Sequence, residues 1–404
     1  MEVVVGTYEE VLLGYRLVRL GEKWQFELSF TDNSHTGCIK SIAVSTKGIL
    51  ASGGTDENIK LFNLKKRSDL GSLVHHSGSV LGVKFYKGNH MFTVSEDGSV
   101  VIWKHYTWEC LKTLRGHKSG VNSISVHPSG KLALTVSKDK TLKTWNLITG
   151  KCAYTTNLKS VADLVLWSTD GTYYAVVFQT KIDIYKVETA TVHCTVTTEK
   201  RPNDVAFLSD TILVYGCEGG TVNFHDITNN QQLHQIDTET NRIRGITLFT
   251  DDELCQCLIT ASSDGYLKLY QIQQNEDSIS TTLLTEHDSK FRLTCISVYL
   301  PKTSTANTDN KAVTEDVTEE VESKEDNSDQ ETLKTETPKK TKKTDKRKNL
   351  QKKNAEKEFV TVDSDLILKQ DNTQSKAVPY DNCGELEKEK KKYIDWLLEN
   401  EVNG

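Results

Sequence analysis

One stretch of this sequence recurs, and its period limits what the chain can fold into. From His117 the chain reads HKSGVNSISVHPSGKLALTVSKDKTLKTWN. Apolar residues alternate through Val121, Ile124 and Val126, a turn follows at His127-Pro128-Ser129-Gly130, and a second apolar run extends from Leu132 to Val136. Asp139 then leads, six residues on, to Trp145. Short strands separated by turn residues at this spacing predict a four-stranded antiparallel unit. His35, His76 and His117 stand 41 residues apart, and the acids Asp56, Asp97, Asp139, Glu218 and Asp264 are each followed six residues later by an aromatic: Phe62, Trp103, Trp145, Phe224 and Tyr270. A period of about 40–45 residues with these marks predicts an all-β chain folded as a WD40 β-propeller.

A propeller has to close into a ring. His287 to Val298 has the character of an inner strand, yet no acid and aromatic follow it at the repeat spacing, while Val3 to Val18 contains two apolar bursts ahead of the first histidine. The N-terminal segment is therefore expected to lend its strand to the last blade, with Tyr15 in the aromatic place and the sheet edge covered. That gives a seven-bladed domain over residues 1–302, or six blades if the ends do not join. Blade four, about 151–192, has neither the histidine nor the turn acid, and blade five has Asn203-Asp204-Val205 where the histidine belongs.

Four residues before the turn acid stands a hydroxyl in the best blades: Ser52, Thr93, Thr135 and Thr260. An acid, a histidine, a hydroxyl and an indole at these positions make a chain of hydrogen bonds that satisfies polar groups otherwise buried without partners. His76, Thr93, Asp97 and Trp103 form one complete set, and His117, Thr135, Asp139 and Trp145 form the other. Phe62 and Phe224 have no N–H, so their blades lack the last bond, and the two complete blades are expected to be the stiffest.

Charge separates the rest of the chain. Residues 1–302 carry 31 basic and 32 acidic residues and are near neutral; residues 303–404 carry 19 and 24. Glu315 to Glu331 holds nine acids and one lysine, and Pro338 to Lys353 holds nine basic residues in sixteen. Blocks of like charge with few apolar residues predict a disordered tail over 303–384. A short helix is expected over 385–404, with Leu386, Tyr393, Ile394, Leu397 and Leu398 partly along one side. Lys339, Lys340, Lys342, Lys343, Lys346, Arg347 and Lys348 fit recognition by a nuclear import receptor; the same block also fits weak, salt-dependent attraction to RNA phosphates, or a merely solvating role.

The chain offers little to catalysis. Nine unclustered cysteines argue against a disulfide framework and for a reducing compartment. No signal segment, apolar run of membrane length or Asn-x-Ser/Thr site is present, so a cytosolic or nuclear protein without membrane contact is expected. Cys255-Gln-Cys257, His75-His76 and His225-Asp226 are the only metal candidates, and none has zinc spacing. No cofactor is expected. Ser, His and Asp co-occur, but a hydrolase site occurs once, whereas this constellation repeats. Phosphate-loop and nucleophile-elbow motifs are absent.

Particular wordings go beyond the generic blade: Gly71-Ser-Leu-Val-His-His-Ser-Gly78, Trp108-Glu-Cys-Leu-Lys112, His127-Pro-Ser-Gly-Lys-Leu-Ala-Leu134, Asp139-Lys-Thr-Leu-Lys-Thr-Trp-Asn-Leu147 and Lys181-Ile-Asp-Ile-Tyr185. Together they resemble the p21-activated protein kinase-interacting protein 1 family, through Ala261-Ser-Ser-Asp-Gly265 and Leu293-Thr-Cys295, with only the charge character of the tail in common. The resemblance implies a non-enzymatic, nucleolar WD-repeat scaffold that acts in pre-rRNA processing and assembly of the large (60S) ribosomal subunit. The implied partners are proteins of the precursor particle and its rRNA, and the protein is expected to be a monomer within such assemblies. It also implies binding of the regulatory region of p21-activated kinase, lowering its activation; the alternative is a cytosolic signalling adaptor without a ribosome role. No catalytic or contact residue carries over, although Lys40, Lys84 and Asn122, near the starts of inner strands, are candidate contacts.

Overall fold

The computed structural model describes residues 1–301, apart from residue 22, residues 252–254 and residues 276–277. The charged blocks, the import candidates from Lys339 to Lys348, Cys383 and the helix expected over 385–404 lie outside the described residues. The described residues form 28 strands and no helix, sorted into seven four-stranded antiparallel sheets. The ring therefore has seven blades.

Burial falls from the second strand of a blade outward, and the sequence follows it. In blade three, all six residues of Leu132–Ser137 are buried because neighbouring blades cover both faces. The outer strand Lys151–Asn157 keeps only alternate residues partly covered and reads as polar. Seven apolar clusters hold the ring together, each at the seam between two blades. Val4, Ile39, Leu50 and Tyr299 meet at the seam of blades seven and one; Phe92, Val94, Ile124 and Trp145 meet at that of two and three. Among the described residues there is no single core. Each blade is stable only between two others, as in repeat architectures generally.

Polar stitches follow the same seams. The Ser41 hydroxyl accepts from the Val83 amide at 3.0 Å, the Ser125 hydroxyl from the Trp167 amide at 3.1 Å, and the Asp204 carboxylate from the Ile246 amide at 2.8 Å. Tyr86 donates its hydroxyl to the Pro128 carbonyl at 2.7 Å. The turn it reaches needs Gly130, whose φ is 75° and where a Cβ would lie 2.5 Å from the Tyr86 hydroxyl.

Closure departs from the expectation in extent. The N-terminus supplies not one but three of the four strands of blade seven: Glu2–Thr7, Leu12–Leu20 and Lys23–Asp32 stand outward from the inner strand Leu293–Tyr299. Glu2–Thr7 pairs with both neighbours, Val4 facing Gly14 on one side and Ser297 on the other. The third strand, KWQFELSFTD, leaves most of its residues exposed or only partly covered and so lacks an apolar burst to betray it. Tyr15 occupies the place Trp103 holds in blade two, immediately after the bulge in the strand Leu12–Leu20.

Blade five departs in register. The bulge places Phe62, Trp103, Trp145, Tyr185, Tyr270 and Tyr15 at one position, and in blade five that position belongs to His225, not Phe224. The turn place is accordingly Gly219 rather than Glu218. A slip of one residue turns a side chain to the other face of a sheet, and Phe224 packs toward Ile243, Leu258 and Tyr270 of blade six.

Candidate functional site

Two places in the ring concentrate polar chemistry: the buried networks under the turns, and the mouth of the central channel. In blade two the Trp103 indole N–H donates to the Thr93 hydroxyl at 2.9 Å, Thr93 lies 2.8 Å from His76 Nε2, and His76 Nδ1 lies 3.0 Å from Asp97. Blade three repeats this with Trp145 to Thr135 at 2.8 Å, Thr135 to His117 at 2.8 Å and His117 to Asp139 at 3.0 Å. An indole only donates, so the hydroxyl accepts from it and spends its own proton on Nε2; Nδ1–H then donates to the carboxylate. The imidazole has to be neutral for every member to be satisfied.

Blade one carries three-quarters of the same network. His35 lies 2.8 Å from both Asp56 and Ser52, and the indole place holds Phe62, which stacks on Phe30 with centroids 5.0 Å apart. Blade six keeps only the turn: Asp264 accepts the Asn241 amide at 3.0 Å and the Ser262 hydroxyl. Blade four has Val176 and Gln179 in the hydroxyl and acid places, and fills the space with Tyr174 stacked on Tyr185 at 4.9 Å. In blade seven the acid is Glu9, which accepts the amide of Arg292, a residue 283 positions away in the chain.

The electrostatics follow from burial and donors. Burial pushes the Asp97 carboxyl up, but bonds from Ser99, His76 and the Ser77 amide outweigh it and hold Asp97 below the usual carboxylate range. Asp139 is held well below that range in the same way by Thr141, the Lys118 amide and His117. Burial lowers His76 and His117, and the carboxylate bonds only partly oppose it.

None of this resembles a reactive centre. Among the described residues no three His, Cys, Asp or Glu side chains converge as metal ligands. His75 meets Thr113 at 3.1 Å and His225 meets Asn230 at 3.0 Å. Burial pushes the thiols of Cys257 and Cys295 up to about 12, so both are protonated at neutral pH.

The channel is where blades differ. Its mouth opens on a cavity of about 460 Å³ bounded by the inner strands of all seven blades. Lys40, Lys84 and Asn122 all line it, together with Arg201, Arg244 and Arg292 and the acids Asp163 and Asp204. Asn122 and Asn203 brace the ring by donating to the carbonyls of Ala162 at 2.8 Å and Ile243 at 2.9 Å. Arg201 pairs with Asp163 at 2.9 Å, and Arg292 lies over the Tyr8 ring at 4.7 Å. Burial pushes the Asp204 carboxyl up, with Lys84 and two backbone donors opposing. The arginines were not visible as a site in the sequence, because each comes from a different repeat.

Two outcomes follow for the buried networks. Thr135→Val leaves both His117 Nε2 and the Trp145 N–H unpaired and should cost about 2–4 kcal/mol, whereas Ser52→Ala strands only His35 and should cost about half as much; chemical denaturation of the two variants checks this. The five histidines His76, His105, His117, His234 and His287 all hold protons less readily in the fold than the ordinary histidine. Below about pH 6.5 the unfolded chain binds protons on them that the native state refuses, so stability must fall as pH falls from there. The depressed Asp97 and Asp139 add a second loss below about pH 4. Denaturant midpoints between pH 8 and pH 5 should decline monotonically (about these limits); a rise on acidification would mean charged native imidazoles.

The comparisons agree with the architecture. The family model described as WD domain, G-beta repeat matches residues 67–104 and 108–146, the two stretches that carry the complete networks. A Danio rerio protein named p21-activated protein kinase-interacting protein 1-like is 41% identical over 302 residues, 74% of this chain and 81% of the relative. The Homo sapiens p21-activated protein kinase-interacting protein 1 is 35% identical over 308 residues, 75% and 78% of the two chains. The Schizosaccharomyces pombe Shk1 kinase-binding protein 15 is 27% identical over 312 residues, 74% and 84%. With a seven-bladed ring and relatives this similar over about three-quarters of its length, the chain belongs to the p21-activated protein kinase-interacting protein 1 family of WD-repeat proteins.

Proposed function

We propose that this protein is a non-enzymatic scaffold of large ribosomal subunit assembly, working in the nucleus and nucleolus on precursor particles and their rRNA. The observation that carries the scaffold reading is the repetition of the Ser/Thr–His–Asp constellation in three successive blades with one geometry. A catalytic triad would be unique and open to substrate; here the histidines are buried and their acids are spent on backbone donors. Rigid rings with many exposed loops position partners. The ribosomal role is supported by the family resemblance and by the basic block from Lys339 to Lys348, which the import receptor would read.

A second activity, binding the regulatory region of p21-activated kinase and lowering its activation, is favoured by the names of the relatives, which speak of kinase interaction. It would reside in the propeller and survive removal of residues 303–404.

Sedimentation of nuclear extract containing the tagged protein separates these roles. Under the assembly reading the full chain co-migrates with large precursor particles, and RNase abolishes the co-migration. Replacing the seven basic residues from Lys339 to Lys348 by alanine should move the protein out of the nucleus and off those particles, while kinase capture is unchanged. Full-length protein that stays at the top of the gradient would refute the assembly role.

A further inference from the structure

The channel mouth carries more positive charge than its surroundings neutralise. Five cationic side chains line it, against two carboxylates. Arg201 is held by Asp163 at 2.9 Å, Lys84 acts on Asp204, and Arg242 outside the cavity pairs with Glu218 at 3.3 Å. Arg244 is half-buried, and its side chain makes no hydrogen bond or ion pair among the described residues. Burial, then the charges of Arg242, Arg201 and Arg292, push its guanidinium below the usual arginine range, against the opposing charge of Glu218. Arginine does not shed its proton in a protein, so the crowding stays as unrelieved repulsion in the free ring.

Arg292, the neighbour across the seam, is fixed by the N-terminal segment. Its amide donates to Glu9 at 3.1 Å, its carbonyl accepts the Tyr8 amide at 2.9 Å, and its guanidinium covers the Tyr8 ring. These contacts hold Arg292 in place at the mouth.

We propose that this mouth binds an acidic, extended peptide segment of a partner protein, with a carboxylate seated between Arg244 and Arg292 and the chain entering the 460 Å³ cavity. The inference rests on the reading of the ring as a protein-binding scaffold and supplies the chemistry of one partner. A guanidinium fork matches a carboxylate in two parallel hydrogen bonds. A nucleic-acid strand fits less well: stacking platforms are needed to hold single-stranded bases, and the aromatic ring at the mouth, Tyr8, is already covered by Arg292. Asp163 and Asp204 lie within the cavity and would repel a continuous phosphate backbone, whereas a peptide places its charges singly.

The test is fluorescence anisotropy with the full chain and a labelled peptide of alternating glutamate and serine, beside its glutamine counterpart and a single-stranded oligouridine of similar length. The basic block of the tail also attracts anions, so the quantity read is the part of binding that Arg244 controls. Arg244→Glu should weaken the glutamate peptide by at least about tenfold, leave the glutamine peptide and the RNA unchanged, and Lys60→Glu on the outer strands of blade one should have no effect. Arg244→Gln should melt at or above the wild-type temperature, because it removes a repulsion. The proposal is overturned if Arg244→Glu leaves peptide affinity unchanged, if RNA is the ligand it weakens, or if Arg244→Gln lowers the melting temperature, which would make the guanidinium a structural support. Failure here with intact co-migration on precursor particles would remove this site and leave the scaffold reading standing.

Discussion

The structure depends on one pairing: Glu2–Thr7 lying between Leu293–Tyr299 and Leu12–Leu20. A ring of sheets has no core of its own, only seams, and each seam needs a blade on both sides. Without the N-terminal strands, blade seven would be a lone strand. The apolar faces of blades six and one would then meet water, together with the unpaired edge of Leu293–Tyr299. Loop closure across nearly three hundred residues is entropically expensive only logarithmically, while the two seams beside blade seven bury residues such as Val3, Val4, Val5 and Leu13 almost completely. The pairing also builds the channel mouth, since Tyr8 and Glu9 fix Arg292 from the opposite end of the chain.

Much of this was legible because the repeat is written in residues with narrow physical roles. A buried indole, hydroxyl, imidazole and carboxylate satisfy one another only at the spacing the strands impose, so reading His76, Thr93, Asp97 and Trp103 together locates a turn and two strands at once. Where these residues are absent the reading weakens. In blade five the acid Glu218 and the ring of Phe224 have the right separation by coincidence, and the true frame, Gly219 and His225, has neither residue type. The strand Lys23–Asp32 was missed because an outer strand touches little and needs no apolar pattern. The arginines of the mouth were illegible for a different reason: each belongs to its own repeat, and only the ring brings them within electrostatic reach.

The division of labour between framework and surface follows. Blades one to three spend their polar residues on internal satisfaction, which makes them alike. Blades four to seven dispense with the full network, using stacked tyrosines in blade four and a glutamate from the far terminus in blade seven. Arg244 and Arg292, from blades six and seven, carry the charge that no carboxylate pairs, while Arg201 of blade five is held by Asp163. A scaffold needs both properties: identical parts to hold a ring, and unlike parts to tell partners apart.

Hydrogen exchange on the full chain tests the closure most directly. The account predicts that amides of Glu2–Thr7 exchange as slowly as those of Leu293–Tyr299 and of the buried strand Leu132–Ser137, because opening the seam and unfolding the ring are one event. Glu2–Thr7 exchanging orders of magnitude faster, while Leu132–Ser137 stayed protected, would show that the ring holds without its terminal strands and would contradict it.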